Sequence, residues 1–227
     1  MNNKLDTLKK VFNKKELYTQ ALTHRSWVNE HKGERTSNER LEFLGDAVLE
    51  YVVSKELYKA FPDKEEGYLT ALRASLVNTI SLSEVAINLD LGSELFLSKG
   101  EEDGGGRANI SLLADTVEAI IGALFIDTGL PPAEKFIDEN LLFDLAERAR
   151  LPLKDAKSQL QELAQSKGFQ APRYQVASEE GPDHSKKFVI EVFVDGKAVG
   201  TGEGKSKSTA EQEAAKDALV HALNEKI

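Results

Sequence analysis

The stretch Asn38–Val53, NERLEFLGDAVLEYVV, decides the fold of the first two thirds of this chain of 227 residues. Its apolar residues recur at three- and four-residue spacing, as in Leu41, Leu44 and Val48, which is the period of an amphipathic helix. Similar patterns continue as far as about Arg150. The sequence therefore predicts an all-α domain at residues 1–150.

Capping and helix-breaking residues set the limits of the predicted helices. Ser37 can cap the helix that contains the opening stretch, and Pro62 ends that helix because proline lacks an N–H group. The run Lys99–Ala108, KGEEDGGGRA, is polar and rich in glycine, which favours a loop. Further helices are predicted at Glu66–Asn78, Ile80–Leu89, Ser111–Asp127 and Pro132–Arg150.

The pattern changes after Leu151-Pro152. The amphipathic segment Ala156–Gly168 predicts one helix, and a final helix is predicted at Thr209–Asn224. Three strand-like runs lie between them, and Asp195-Gly196 is a strong hairpin turn signal. The predicted strands are Arg173–Ser178, Lys187–Val194 and Ala198–Lys205. We therefore predict two domains with a linker at 151–154, the second being a small α+β domain of order α-β-β-β-α at 155–227.

The composition restricts the kind of site that the chain can form. It has no cysteine and four histidines, so disulfides and thiolate ligands are excluded and a metal would be held by oxygen. The most apolar stretch, Ile110–Ile126, is shorter than the roughly 20 residues of a membrane-spanning helix, and it carries Asp115 and Glu118. We expect a buried helix there, no membrane association and, without a signal peptide, a cytoplasmic protein.

The net charge of -9, taken alone, argues against a nucleic-acid-binding protein. The charge is unevenly distributed, because Leu151–Ile227 contains 11 Lys+Arg and 12 Asp+Glu. Most of the excess acid therefore lies in residues 1–150. Any contact with RNA would have to use local basic patches.

Two groups of acidic residues stand out within the predicted helices. Glu39, Glu42 and Asp46 share one helix face through their i, i+3 and i+7 spacing. Asp115 and Glu118 are the only charges in a segment apolar enough to be buried nearly all round. Acidic residues on helices are usually solvated, but two carboxylates in a buried helix need a compensating charge, which a divalent cation can supply.

Gly45 and Gly122 each lie beside one of these acidic groups. A glycine inside a helix costs about 1 kcal/mol relative to alanine, so its presence indicates a close approach between helices. If the two helices cross at these glycines, four carboxylates converge and could hold magnesium and orient water for attack on a phosphodiester. The converging residues would be Glu42, Asp46, Asp115 and Glu118.

The same motifs resemble the signature sequences of the ribonuclease III family. NERLEFLGDAVL matches almost letter for letter, and the resemblance continues through EGYLTALRASLVN, LSKGEEDGGGR and LLADTVEAIIGALFID. It implies an endoribonuclease that cuts double-stranded RNA, with Mg²⁺ as the cofactor, Mn²⁺ as a substitute and no small-molecule cofactor. It also implies a homodimer in which each subunit cuts one strand, leaving a 5′-phosphate and a short 3′ overhang, with roles in processing ribosomal RNA precursors and messenger RNA.

The resemblance also implies roles for individual acidic residues. Asp46 and Glu118 match the key catalytic pair of the family. Glu42 and Asp115 match the positions that complete its catalytic and metal site. The further acidic positions that line the cleft are matched by Glu39 and Glu66.

The second domain resembles the double-stranded-RNA-binding domain, from LQELAQ through GPDH to GKSKSTAEQEAA. That resemblance implies polar contacts in two minor grooves and lysine contacts with the phosphates between them, over about 16 base pairs. Ser208 departs from the family pattern, which has a second adjacent lysine there, and Lys205 could compensate. The residues expected to contact RNA are Gln161, Glu162, Gln165, His184, Lys205, Ser206 and Lys207.

Three other residues have less specific interpretations. Arg107, after the glycine run, is a candidate for a contact with the RNA backbone, and an ordinary position in a surface loop is an equal alternative. His24 fits a hydrogen-bonded helix residue better than a catalytic base. Trp27, the single tryptophan, fits a place in the core.

Two other functions are consistent with parts of the sequence. A regulatory protein that binds double-stranded RNA could keep the nuclease fold only as a dimerisation scaffold, but a degenerate nuclease should have lost at least one of the four carboxylates, and all are present. A helical di-metal oxidase would need Glu-x-x-His pairs, and these helices contain none. An RNA-cleaving enzyme is therefore the leading hypothesis.

Overall fold

The computed structural model describes residues 3–150, 153, 155–181 and 186–224. The chain divides into two compact units, Met1–Leu151 and Pro152–Ile227. The first unit is helical, and the second combines two helices with a three-stranded sheet. This arrangement confirms the predicted fold class.

The described part of the first unit contains ten α-helices and two short 3-10 helices. The 3-10 helices are Leu91–Glu94 and Gly106–Ala108. The α-helices are α1 (Asn3–Val11), α2 (Lys15–Ala21), α3 (Arg25–Glu30), α4 (Glu39–Ala60), α5 (Glu66–Leu76), α6 (Thr79–Leu89), α7 (Lys99–Asp103), α8 (Ile110–Thr128), α9 (Leu130–Asn140) and α10 (Leu145–Arg148).

The long helices α4 and α8 cross at close range, where glycines leave room for the two backbones. A Cβ atom on Gly45 would overlap the backbone carbonyl of Glu118, and one on Gly122 would overlap that of Leu41. The predicted crossing at the two glycines is therefore confirmed. It places the acidic residues of α4 beside those of α8.

Helix α8 is the apolar helix that was expected to be buried. Ten of its 19 residues are buried, among them Ile120 and Leu124, which are fully enclosed. This helix forms the centre of the first unit, so any charged side chain on it is held close to the apolar core. None of the described helices is long and apolar enough to cross a membrane.

The start of α4 differs from the prediction. Asn38 occupies the N-cap position without a side-chain capping bond, and the Ser37 hydroxyl donates to the Glu39 carboxylate at 2.9 Å. Buried Asn38 instead donates from its side chain to the Ala21 carbonyl at 3.3 Å and from its backbone to the Thr23 carbonyl at 2.9 Å. The prediction that Ser37 caps the helix was wrong, because tertiary hydrogen bonds position this helix start.

The segment Lys99–Ala108, predicted as a loop, contains α7 and a 3-10 helix. The Ser98 hydroxyl caps α7 by accepting a hydrogen bond from the N–H of Glu101 at 3.2 Å. Gly105 provides the positive φ of 81° between the two helical turns. The loop prediction was wrong here because a local cap overrides the glycine content.

The helix predicted at Pro132–Arg150 is divided in two. Helix α9 ends at Asn140, whose side-chain amide donates to the Phe136 carbonyl at 2.8 Å, and α10 begins at Leu145. Asparagine competes with the backbone for hydrogen bonds and therefore favours helix ends. The prediction of a single helix was wrong because it gave this local competition too little weight.

The second unit has the predicted order of elements. Its strands form an antiparallel sheet in the order β1-β2-β3, and β2 has the predicted bounds. Asp195 and Gly196 have φ values of 51° and 77°, which the tight turn between β2 and β3 requires. The elements are α11 (Ala156–Ser166), β1 (Arg173–Glu180), β2 (Lys187–Val194), β3 (Lys197–Gly204) and α12 (Lys207–Asn224).

Helix α12 packs closely on β3 through small residues. A Cβ atom on Gly200 would come within 2.6 Å of the Ala214 carbonyl oxygen, and one on Gly202 would overlap the Ala214 nitrogen. Ala210 and Ala214 are completely buried against the sheet. This packing holds the first turns of α12 in place next to the end of β3.

Candidate active site and RNA-binding surface

Three carboxylates meet where α4 crosses α8. Glu42 of α4 and Asp115 and Glu118 of α8 each offer an oxygen atom, and these three atoms lie within 4.8 Å of one another. All three residues are partly buried. The glycine crossing brings them together, because it allows the two helix backbones to come into contact.

The carboxylates of this cluster are desolvated and repel one another. Burial, followed by repulsion from Asp46, Asp115 and Glu42, raises the pKa of Glu118 to about 7. Burial and the neighbouring carboxylates also raise the pKa of Glu42 above its usual value. Burial raises the pKa of Asp115, while the nearby His24 has the opposite effect. A bound cation would favour the charged form of all three groups.

The donor set and its spacing fit a hard divalent cation. Mg²⁺ is held in proteins mainly by carboxylate and water oxygens, and Mn²⁺ accepts the same ligands. Carboxylates forced together in a partly buried place need positive charge, which such a cation provides. The protein ligands would be Glu42, Asp115 and Glu118, with Asp46 close by.

Asp46 and Glu39 lie at the margin of the cluster. Asp46 is exposed and outside the three-oxygen group, yet its charge is close enough to raise the pKa of Glu118. Glu39 is also exposed, and its charge contributes to the raised pKa of Glu42. The structure thus brings three of the four predicted carboxylates into direct proximity and holds the fourth next to them.

A pocket of about 230 Å³ opens beside the cluster. Its walls include Glu39, Glu42 and Asp115, together with the two basic residues His24 and Arg25. Sequence reasoning did not select Arg25, because the helix that carries it reaches α4 only in the folded chain. The pocket therefore contains positive as well as negative groups.

Two residues selected from the sequence make local contacts outside the cluster. Glu66 is exposed in the first turn of α5 and accepts a hydrogen bond from the Thr70 hydroxyl at 2.8 Å. Arg107 donates through Nε to the Glu102 carboxylate at 2.7 Å and through Nη1 to three carbonyl groups. Those acceptors belong to Gly92 at 3.0 Å, Ser93 at 3.2 Å and Leu95 at 3.1 Å. Arg107 thereby joins the two 3-10 helices.

His24 and Trp27 lie at the start of α3. His24 Nδ1 accepts a hydrogen bond from the Ser26 N–H at 3.3 Å and so caps α3. The Trp27 ring stacks on His31 at 4.0 Å, and the Arg35 guanidinium lies 4.6 Å from its centre. Trp27 is only partly buried. Its predicted core position was wrong, because polar and cationic side chains cover its ring.

The candidate RNA-contacting residues of α11 are exposed, and a hydrogen bond to α12 holds the start of their helix. Gln161 and Glu162 are exposed, and Gln165, one helical turn from Gln161, shares its face of the helix and is exposed too. The start of α11 is tied to α12, because the Asp155 carboxylate accepts a hydrogen bond from the Gln212 side-chain amide at 2.9 Å. The two helices that carry most of the candidate contacts therefore keep a defined relative position.

The candidates at the start of α12 are exposed as well. Lys205 and Lys207 flank Ser206, whose hydroxyl accepts a hydrogen bond from the Thr209 N–H at 3.1 Å. This bond caps the helix, and free N–H groups with two lysines beside them are suited to a phosphate. His184 lies outside the described residues.

Comparisons with known proteins cover both units. Residues 14–145 match the family model described as ribonuclease-III-like, and residues 156–221 match the double-stranded RNA binding motif. Curated relatives called Ribonuclease 3 include a protein of Halalkalibacterium halodurans, 45% identical over 95% of this chain and 82% of its own length. Another, from Enterococcus faecalis, is 45% identical over 96% of this chain and 98% of its own length.

A solved structure resembles the first unit. It is the nuclease domain of ribonuclease III from Campylobacter jejuni, which is 41% identical, has a TM-score of 0.55 and covers 62% of this chain and 98% of its own. That protein is described as flexible in a region involved in dimer formation. With the carboxylate cluster and the two matched domains, these likenesses show that the chain belongs to the ribonuclease III family of double-strand-specific endoribonucleases.

Proposed function

We propose that the chain hydrolyses phosphodiester bonds in both strands of double-stranded RNA, with Mg²⁺ held where α4 crosses α8. The observation that carries the metal assignment is the meeting of the Glu42, Asp115 and Glu118 oxygen atoms within 4.8 Å. Family membership supports the substrate. The donor set, which consists of oxygen atoms, supports Mg²⁺ with Mn²⁺ as a substitute.

The four carboxylates have distinct proposed roles. Glu42 and Asp115 hold the metal together with Glu118 and Asp46, and the last two form the catalytic pair. Divalent metal bound there would supply an activated water and offset the charge that develops on the leaving oxygen. The partly buried position of Glu118 supports a role in orienting that water. Glu39 is proposed to line the cleft beside the cluster, and Glu66 is proposed as a further acidic position of the cleft.

The second unit is proposed to recognise the RNA duplex. The proposed domains are a nuclease domain at 1–150, a linker at 151–154 and an RNA-binding domain at 155–227. Exposed polar groups on α11 and lysines at the start of α12 support contacts with minor grooves and phosphates. The proposed contacts are Gln161, Glu162, Gln165, His184, Lys205, Ser206 and Lys207. Arg107 is left out because its Nε and Nη1 donors make hydrogen bonds within the protein.

The exposed face of α4 supports a homodimer. Phe43 is 80% exposed, Tyr51 54% and Tyr58 75%, and their spacing places them along one side of the helix. Large apolar side chains in such a row indicate a protein–protein contact. The proposed partner is a second copy of the chain, so that each of two active sites cuts one strand and leaves a 5′-phosphate with a short 3′ overhang.

The proposed cellular role is inferred from membership of the ribonuclease III family. We place the protein in the cytoplasm, where it would process ribosomal RNA precursors and messenger RNA. No small-molecule cofactor is part of this proposal, because the metal-binding carboxylates account for the chemistry.

Cleavage of a labelled RNA duplex tests the proposal directly. The duplex is incubated with Mg²⁺ or with chelator, beside matched single-stranded RNA and duplex DNA. We expect the RNA duplex to be cut and the single-stranded RNA and duplex DNA to stay intact. Cleavage should occur with Mg²⁺ and not with chelator, and the product ends should carry a 5′-phosphate. Tight binding of the duplex without cleavage, under Mg²⁺ and under Mn²⁺, would favour a regulatory RNA-binding protein instead.

A further inference from the structure

The pocket beside the carboxylate cluster is lined by several acidic residues, which would repel the phosphate groups of a substrate. Glu39, Glu42 and Asp115 line it, and Asp46 and Glu118 lie near. A substrate strand brings phosphate groups of the same sign into this place, and like charges at close range repel strongly where water is partly excluded. A positively charged side chain that faces the strand would offset the repulsion.

Arg25 is the one lysine or arginine that lines this pocket in the part of the chain that the structure describes. Its guanidinium pairs with the Glu39 carboxylate at 3.3 Å, and the two side chains are 66% and 52% exposed. Exposed pairs of this kind contribute little to stability and exchange partners readily. The guanidinium is therefore available to another anion that enters the pocket.

The backbone beside Arg25 is held firmly, although its side chain is exposed. The N–H of His24 donates to the Phe96 carbonyl at 3.0 Å, and the fully buried Thr23 accepts from the N–H of Asn38 at 2.9 Å. The second bond joins the start of α3 to the start of α4, and the first joins it to the segment that follows the 3-10 helix Leu91–Glu94. The base of the Arg25 side chain thus has a defined position relative to the carboxylate cluster, which favours a specific contact over a diffuse attraction.

We propose that Arg25 binds a phosphate group of the RNA strand that lies in the pocket, exchanging its bond to Glu39 for one to the phosphate. Arginine suits this contact because its planar guanidinium can donate two parallel hydrogen bonds to phosphate oxygens. Arg25 is a positioning residue in this proposal, since it holds the strand over the metal-binding carboxylates. The proposal rests on the proposed function, because it concerns the substrate of that same site.

Steady-state cleavage by the full-length protein tests this phosphate binding. In Arg25→Gln we expect KM for an RNA duplex to rise by roughly 10-fold with kcat little changed. The reason is that the variant loses the same binding free energy for the substrate and for the transition state. The slope of log KM against log salt concentration should become shallower by about one unit, since Arg25→Gln neutralises one phosphate fewer. A purely structural defect would not change the salt dependence in this way.

Three further variants separate phosphate binding from other effects. Arg25→Lys should recover part of the salt dependence, since it keeps the charge but not the planar donor pair. Glu39→Gln breaks the same ion pair and is expected to lower KM, because it removes an anion that competes for Arg25. Lys135→Gln is the control, since Lys135 is an exposed cation paired with Glu139 at 3.7 Å on α9, and it should behave as the unmodified protein.

The outcomes distinguish this inference from the proposed function. If the unmodified protein cuts the duplex but Arg25→Gln keeps its KM and its salt dependence, the inference is overturned and the proposed function stands. A fall in kcat alone, or a rise in KM that Glu39→Gln reproduces, would also overturn it. If the unmodified protein binds the duplex and never cuts it, the proposed function fails, and the same variants then test Arg25 through the dissociation constant.

Discussion

Glu118 is an acidic residue in α8, a helix that is largely apolar and largely buried. Its carboxylate is desolvated and lies near three other carboxylates, which raises its pKa to about 7. Such a position destabilises the protein unless a cation is bound, so a functional role explains it better than a structural one. The cleavage rate and the pH dependence of stability should both respond to a change at this residue.

Glu118→Gln should abolish cleavage while leaving RNA binding intact. The amide keeps the shape of the side chain but not the negative charge that holds a metal and orients water, so we expect the cleavage rate to fall by about 100-fold or more. Rates and dissociation constants are measured on one RNA duplex. Glu84→Gln on α6, an exposed acid of the same size, is the control. Cleavage at close to the unmodified rate would refute the assigned role.

The raised pKa of Glu118 also predicts a pH-dependent stability without metal. Between its ordinary pKa of 4.5 and about 7, the folded protein holds a proton on Glu118 that the unfolded chain has released. Stability therefore falls as the pH rises through this range. In chelator, the stability of Glu118→Gln relative to the unmodified protein should therefore increase as the pH rises from 4.5 to 7. Mg²⁺ should make this increase smaller, because a bound cation favours the charged carboxylate. Fluorescence of Trp27, the single tryptophan, reports the transition; a gain independent of pH would contradict the prediction.

At the scale of elements, the site depends on how closely α4 and α8 approach. Gly45 and Gly122 allow a contact between backbones that leaves no room for a side chain. The carboxylates of the two helices meet only because of this approach. Helix packing and the geometry of the candidate site are therefore linked at the same position.

Gly122→Ala should destabilise the first unit by about 1–3 kcal/mol or more, because its Cβ meets backbone atoms of α4 that cannot rotate away. Gly67→Ala on α5 is the matched control, since no atom beyond its chain neighbours and its own helix backbone lies within 4 Å of a Cβ placed there. There the reduced chain entropy of the unfolded state should stabilise the protein by about 0.5–1 kcal/mol. Urea unfolding followed by Trp27 fluorescence measures both. Equal stabilities of the two variants would show that the helices do not cross as described.

At the scale of the whole molecule, the proposed function divides the task between catalysis in the first unit and RNA binding in the second. Deleting residues 152–227 should weaken RNA binding at physiological salt while leaving some cleavage at low salt, where electrostatic attraction is stronger. Binding and cleavage are measured at both salt concentrations, and Trp27 fluorescence checks that the shortened chain is folded. If the deletion variant matches the full chain at both salt concentrations, the second unit does not have the proposed role.

The proposed association through α4 predicts the effect of a charge on the exposed face of this helix. Phe43→Lys should convert a dimer to monomers in sedimentation velocity and reduce cleavage of both strands, because a buried unpaired lysine costs several kcal/mol. Phe143→Lys, at another phenylalanine that is 73% exposed, is the control and should not alter the sedimentation coefficient. A Phe43→Lys protein that sediments as the unmodified chain would argue against this interface.

Much of the fold could be predicted because its signals are local. The period of apolar residues in Asn38–Val53 specifies a helix, and Asp195-Gly196 specifies a tight turn whatever surrounds it. Gly45 and Gly122 also predicted a tertiary contact, because a glycine inside a helix indicates the close approach of a neighbouring helix. The predictions of a Ser37 cap and of a single helix at Pro132–Arg150 were wrong, because side-chain hydrogen bonds override the local preference at both places.

The sequence by itself determined the two-domain fold class, the order of elements in the second unit and the acidic residues of the candidate site, since periodicity, turn residues and motif spacing are properties of the chain alone. Only the tertiary structure decided which carboxylates share a cluster, that Arg107 is held by backbone carbonyls, and that Arg25 lines the pocket. The physical reason is that these contacts join residues distant in sequence. Their distances depend on how the helices pack, and apart from the two glycines at the crossing no local pattern indicated this packing.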